Sequence, residues 1–322
     1  MKLASFEYQG IAGIGVVSAD NDSISHLNPL LVQKLGFNPQ CSMMDLIEHA
    51  PDFAQKLSGL DIAAAPRLPM AAVQLKPPVR RPSKIICLAL NNSANSDRIM
   101  KGPSSPAFFT KPASALIGHQ EAIEIRPEDG RTHPEPELAL IIGKGGKNIR
   151  AQDAYQHIFG YTAHNDITSA KMRTDDTFFY RAIHPKNGTL EIEYLDTWVT
   201  YSGRYKGADT YSALGPWLVT ADEISDPHDL DISCHHQDTL ITSDNTHNLT
   251  HKTPEVIEYV SRYVSLWPGD VISLGTALKK SGGGGAVQNV DLFKSGGPVS
   301  VTIQKIGKLE NRVMRLEQQS DQ

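Results

Sequence analysis

Only three cysteines occur in 322 residues, far apart at Cys41, Cys87 and Cys234. An odd, scattered set excludes a disulfide framework and reads as the reduced thiols of a cytoplasmic protein. No apolar run approaches the ~18 residues that a membrane-spanning helix needs, so no membrane partner is expected. The start, Met1-Lys2-Leu3-Ala4-Ser5-Phe6-Glu7, lacks the long apolar core of a signal peptide. Blocks of lysine and arginine are missing and the formal net charge is −5, which argues against a nucleic-acid partner. No internal repeat is evident. Two glycine runs, Ser281-Gly282-Gly283-Gly284-Gly285 and Ser295-Gly296-Gly297-Pro298, lack the Lys-Ser/Thr and the strand-to-helix setting of a phosphate loop. They read either as a surface loop or as a flexible loop near a site.

What the chain does have is the tripeptide Glu135-Pro136-Glu137, followed at once by Leu138-Ala139-Leu140-Ile141-Ile142-Gly143. The apolar run has the length and composition of a buried strand. Residues two apart on a strand face the same way, so two carboxylates share one side of its mouth. Unpaired, they repel each other and are costly to bury. A divalent cation removes both problems, and an oxygen-only donor set favours a hard ion such as Mg²⁺, Mn²⁺ or Ca²⁺. A solvated turn beside a proline is the other reading. Asp166, in Asn165-Asp166, is a third candidate acid; alone it could equally be a turn former.

The first 78 residues read as a small N-terminal α/β domain. Ile11–Val17 is its strand, and Met43–Leu60 carries Leu46, Ile47, Phe53 and Leu57 at helical spacing. The proline-rich Lys76-Pro77-Pro78-Val79-Arg80-Arg81-Pro82 marks a boundary, because proline stops helices and inner strands. From residue 79 to 310, short strands follow at close intervals: 84–90, 107–110, 122–125, 138–142, 190–194, 198–202, 217–220, 271–274 and 299–303. Helices are few, over 151–159 and 254–264, the second with Thr253 as N-cap and Pro254 at its first position. The pattern predicts a β-rich α+β protein whose larger domain is a sandwich or roll. Residues 311–322 read as a tail that frays at its end.

Six segments carry a resemblance in the right order. They are Lys84–Asn92, Pro106–Lys111, Glu135–Lys144, Phe159–Asp166, Lys206–Thr210 with Gly215–Thr220, and Trp267–Thr276. Together they resemble the catalytic domain of the fumarylacetoacetate hydrolase family, a mixed β-sandwich/roll. The resemblance implies that Glu135, Glu137 and Asp166 hold one divalent cation, Mg²⁺ or else Mn²⁺ or Ca²⁺. It implies a small-molecule 2-oxo or β-diketo acid as partner, chelating the ion through its carboxylate and keto oxygens. Lys206 would contact substrate or metal-bound oxygens. Lys111 would lie near the pocket, and Thr276 would bind the substrate carboxylate or be a satisfied turn threonine. A homodimer is the family's expectation.

The chain also departs from the family. Where its hydrolases carry a His and a Glu on a short lid, Asn95 and Arg98 stand here. An amide cannot take a proton near pH 7 and a guanidinium stays charged, so the usual water-activating pair is missing. The family's arginine after the third ligand is represented by Lys171 or Arg173. Residues 174–204, with Phe178-Phe179-Tyr180, Arg181 and His184, could cover the pocket, supply a base or sit at a dimer interface. Cys234-His235-His236 has no second ligand pair at zinc-like spacing and reads as a strand. The first function expected is metal-dependent hydrolysis of a C–C bond in a 2-oxo or β-diketo acid. The alternative is a lyase or isomerase acting on a 2-oxo acid, since Asn95 and Arg98 suit anion binding better than water activation.

Overall fold

The computed structural model describes residues 1–49, 59–278 and 286–317, with the side chains of Asp97 and Arg98 left out. The fold is β-rich with mixed sheets and few helices, as expected. Its spine is a large sheet. At the centre the acidic strand Pro136–Ile142 lies between Ile158–Asp166 and Val271–Thr276, antiparallel to both. Beyond Val271–Thr276 come Ile85–Ala89, in parallel, and then Ala107–Lys111 at the edge.

The acidic strand is buried along its whole length. Alternate residues feed two cores: Leu138, Leu140 and Ile142 on one face, Ala139 and Ile141 on the other. Each large side chain so buried contributes about 1.5–3 kcal/mol, which offsets the cost of holding acids at the strand's end. Pro136 is tolerated because it opens the strand. Gly160 of the neighbouring strand is required by close approach: a Cβ there would lie 2.3 Å from the Val219 carbonyl oxygen.

Several sequence expectations change. Strand Lys2–Tyr8 pairs with Ser212–Thr220, Leu3 opposite Leu218, so the N-terminal unit extends the central sheet instead of standing apart. Leu3 is buried in the same core as Leu214 and Leu218, which is why the sheet continues past the proline-rich segment. Residues 311–315 are not tail. Strand Gly307–Arg315 pairs with Pro298–Ile303 and with Ala122–Ile125, and buried Asn311 donates to the carbonyls of Gly118 and Glu121. Residues 151–157 form a 3₁₀ helix that gives way to strand at Ile158. Helix Met43–Glu48 is present, closed by the Ser42–Asp45 capping box; Phe53 and Leu57 lie outside the described residues.

The 174–204 segment is a hairpin, Thr177–Pro185 paired with Ile192–Thr200 over nine residue pairs. The two expected strands over 190–202 are thus one strand. Among the described residues no other strand pairs with this hairpin. His184, on its first strand, is exposed and does not line the site cavity described below.

Helix Thr253–Tyr263 begins where the Thr253 amide donates to His228 Nε2, 3.1 Å away. Burial and then Lys252 push the His228 imidazole down to about 4. Below pH 6.5 the unfolded chain therefore binds a proton that the folded one refuses, and stability falls as pH drops toward 4. Because the ring is part-exposed and solvent screens it, the loss is roughly 1–2 kcal/mol. In thermal melts His228→Gln, which keeps an acceptor for Thr253, should show a shallower decline between pH 6.5 and 4.

Candidate metal centre and substrate cavity

Glu135, Glu137 and Asp166 come together at the end of the central sheet, each offering an oxygen within 4.8 Å of the others. Strand register does this. The Asp166 amide donates to the Glu135 carbonyl at 2.9 Å, and Glu137 sits opposite His164 on one side and Thr276 on the other. Glu137 and Asp166 are each 1% exposed, so bulk water cannot separate the charges.

Two lysines answer the three acids. Lys206, on the short helix Gly203–Gly207, donates to Glu135 Oε2 at 2.7 Å and to Asp166 Oδ2 at 2.6 Å. Burial alone would lower the Lys206 pKa, but Asp166, Glu135 and Glu137 raise it well above the usual lysine range. The converse holds for Glu135. Burial alone would raise it, and the Lys206 ammonium, aided by His133, holds it far below the usual carboxylate range. Lys111, at the end of its strand, has its ammonium fully buried against Asp166 Oδ1 and the Tyr211 carbonyl.

A row of hydroxyls fixes Glu137. Ser273 donates to Oε2 at 2.5 Å, the Gly275 amide approaches Oε2 at 3.3 Å, and Thr276 lies 3.0 Å from Oε1 and 3.1 Å from Glu135 Oε2. Behind Ser273, His164 bridges Ser273 and Ser212 at 2.7 and 2.8 Å. Because Ser273 spends its proton on Glu137, His164 Nδ1 must be the donor to Ser273. Gly275, at φ +103°, lets the chain turn there; a Cβ would meet Asn91 Cβ at 2.9 Å.

The donor set fits a hard divalent cation. It is all oxygen and clustered, and its three negative charges exceed the two lysine charges by one. Glu135, Glu137 and Asp166 would hold the ion. No other acid, histidine or cysteine group of this kind occurs among the described residues. In particular Cys234 is buried within a strand, while His236 Nε2 donates to the Gly296 carbonyl.

A cavity of about 880 Å³ opens over the cluster. Glu135, Lys206, Thr276 and Asn95 line it, together with His133, Arg131 and Arg173. Asn95 lies in the 3₁₀ turn Ser93–Arg98, capped by Asn92; Arg98 closes that turn, and its side chain lies outside the described residues. Buried Asp244 binds Asn92 and the Leu278 amide, tying the turn to the far side of the cavity. Lys171 is not brought to the site: it is exposed and pairs with Asp175 one helical turn on. Lys111 underpins Asp166 without reaching the cavity lining.

Sequence reasoning missed Ser273, His164 and Arg131. The first two had a usable signal, a polar residue inside a buried apolar strand, which must find a partner. Arg131, on the loop before the acidic strand, had none.

Fold and site together define a β-rich protein with an acidic metal-type cluster at the floor of a cavity. The chain belongs to the fumarylacetoacetate hydrolase family: the pattern of its C-terminal domain, fumarylacetoacetate (FAA) hydrolase C-terminal, matches residues 84–314. A mitochondrial oxaloacetate tautomerase of Bos taurus is 31% identical over 320 residues, 98% of this chain and 92% of the relative. Maleylpyruvate hydrolase from Sphingobium sp. SYK-6, solved with manganese(II) and pyruvate, is 28% identical, with a TM-score of 0.72 over 98% of this chain and 99% of its own. Fumarylacetoacetate hydrolase from Exiguobacterium antarcticum is 27% identical, with a TM-score of 0.77 over 98% and 100%. These relatives are enzymes of more than one reaction class.

Proposed function

We propose that the protein is a divalent-metal-dependent keto–enol tautomerase of a short 2-oxo acid, of the kind named for the Bos taurus relative. Asn95 carries this reading. It lines the cavity where a hydrolase needs a base for water, and an amide cannot serve as one. Tautomerisation moves one proton between C3 and the 2-oxygen and adds no water. A cation held by Glu135, Glu137 and Asp166, with Mg²⁺ or Mn²⁺ the expected ion, supplies Lewis-acid polarisation of the keto group. Lys206 stays protonated and offers its ammonium to the oxygen on which charge develops. The Thr276 hydroxyl holds two of the acids in place and faces the cavity, within reach of a substrate carboxylate.

C–C bond hydrolysis of a β-diketo acid is the second reading, favoured by the roomy cavity and by the Sphingobium hydrolase. One experiment separates them. The protein with Mg²⁺ or Mn²⁺ is given enol-oxaloacetate and an acylpyruvate, and both spectrum and mass are followed. Loss of the enol band at unchanged mass is expected. Acylpyruvate cleavage with uptake of water, and no effect on the enol, would establish the second reading instead.

The hairpin supports a homodimer. Phe179 and Trp198 stack at 4.7 Å yet are 58% and 68% exposed, and Phe178, Tyr180, Tyr194 and Ile183 are also exposed. A lone two-stranded hairpin is marginal in water. A second copy covering it would bury roughly the 800 Å² per partner typical of stable interfaces. Sedimentation should give twice the 35.2 kDa chain mass, and Phe179→Glu with Trp198→Glu should give the monomer.

A further inference from the structure

Asn95 and Thr276 face one cavity from two different elements. Thr276 closes strand Val271–Thr276 and is placed by sheet register. Asn95 sits on the turn Ser93–Arg98, which belongs to no ladder, and short 3₁₀ turns are weak in themselves. Side chains must therefore hold the turn in place. Asn91, two residues before its first turn residue, donates to the Leu274 carbonyl at 2.8 Å. Asn92 caps the turn through Oδ1. Its amide nitrogen donates to the Thr276 carbonyl at 3.2 Å and to Asp244 Oδ2 at 3.0 Å.

Asp244 belongs to neither element. It lies on strand Thr239–Asn245 of the five-stranded sheet and does not line the cavity. Donors converge on both of its oxygens. Oδ2 accepts from Asn92 and from the Leu278 amide, each at 3.0 Å. Oδ1 accepts from the Asn248 side chain at 2.7 Å and from the Asn245 amide at 2.8 Å. Leu278 lies two residues beyond Thr276 and lines the cavity with it. One carboxylate oxygen thus joins the Asn95 turn to the strand end that bears Thr276. Only a carboxylate accepts on both sides; an asparagine would turn its NH₂ toward one of the two donor pairs. The space beside Asp244, about 10 Å³ between Asn92, Thr246 and Gly275, holds no more than one water. No substrate fits there, so Asp244 can act on the reaction only through Asn92 and Leu278.

We infer that Asp244 is a positioning residue: it fixes the distance from Asn95 to Thr276, and with it the grip on the substrate, from a strand that the substrate never touches. The identity of the ligand rests on the 2-oxo acid reading given above. The carboxylate floor stands apart from this device, because Glu135, Glu137 and Asp166 are placed by the central sheet and its lysines. Loss of Asp244 should therefore separate cation binding from substrate binding.

The test is calorimetric titration of the full chain with Mn²⁺ alone, then with pyruvate at saturating Mn²⁺. Two variants are compared with the parent. Asp244→Asn keeps the shape and loses one acceptor pair. Asn92→Ser keeps an N-cap hydroxyl and cuts the turn from Asp244. Both should bind Mn²⁺ within about twofold of the parent and pyruvate about tenfold more weakly, the low end of what a hydrogen bond to a charged group represents. KM for enol-oxaloacetate should rise in the same proportion. Mn²⁺ and pyruvate affinities that fall together with the melting temperature would make Asp244 a residue of the fold alone and overturn the inference. Parental pyruvate affinity in both variants overturns it too, and leaves the 2-oxo acid reading standing. A parent that binds Mn²⁺ but no 2-oxo acid overturns both.

Discussion

Glu137→Gln is expected to bring turnover to background, a fall of about a thousandfold or more, since several kcal/mol of charge stabilisation depend on the cation. The reasoning starts from the strand. Glu137 is 1% exposed, central in the trio and held by Ser273, Gly275 and Thr276. Glutamine has nearly the same shape, so the sheet is undisturbed, and the Thr276 hydroxyl can rotate to accept from the new amide. What disappears is one negative charge and one anionic oxygen. Affinity for Mg²⁺ or Mn²⁺ should drop by at least about a hundredfold, the upper end of what even indirect partners of a metal contribute. Without added cation the variant should melt no lower than the parent, because one of three crowded like charges is gone. Isothermal titration with Mn²⁺, a melt and an activity assay check the three parts. Parental turnover together with parental cation affinity would dismiss the metal mechanism.

The second large effect is on stability. Lys111→Met should destabilise the protein by about 3–5 kcal/mol, the range for a buried ion pair broken on one side. Methionine fills the volume but leaves Asp166 Oδ1 and the Tyr211 carbonyl without their donor. Asp166 then keeps only Lys206. The floor becomes more negative, so a cation should rescue the variant more than the parent. Excess Mg²⁺ or Mn²⁺ at free concentration c stabilises by RT ln(1 + c/Kd), so the rise in melting temperature should be larger for Lys111→Met, whose more negative floor binds the cation more tightly. Denaturant unfolding with and without cation reads both effects. A loss under ~1 kcal/mol would mean that Lys111 is no counter-ion to Asp166.

The sequence made the floor of the site legible and its walls much less so. Glu135 and Glu137 stood out because strand periodicity places them on one side, and a buried apolar run follows them. Joining Asp166 to them took a family resemblance, since thirty residues separate it from the pair and only sheet register brings them together. Lys171 and Arg173 were open alternatives for one role. On a helix two residues apart they must point about 200° apart, and helix Ala170–Asp175 turns Arg173 to the cavity and Lys171 to Asp175. The proline-rich boundary misled because proline reports local backbone, while the pairing of Leu3 with Leu218 is decided by a core assembled from distant residues. In 311–315 the buried side chain is the polar Asn311 while Met314 is exposed, so the apolar-in, polar-out pattern of a strand was not there to be read.

The exposed hairpin has two roots, and both reach the site. Its first strand leaves helix Ala170–Asp175, which presents Arg173; its second returns to helix Gly203–Gly207, which presents Lys206. Arg204 clamps the roots together through Asp176 at 2.8 Å. The exposed rings of Phe178, Phe179 and Trp198 sit at the rooted end of the ladder, while the turn over 186–191 carries the Lys186–Glu191 ion pair. A copy seated on those rings would therefore rest beside the two elements that bring Arg173 and Lys206 to the cavity.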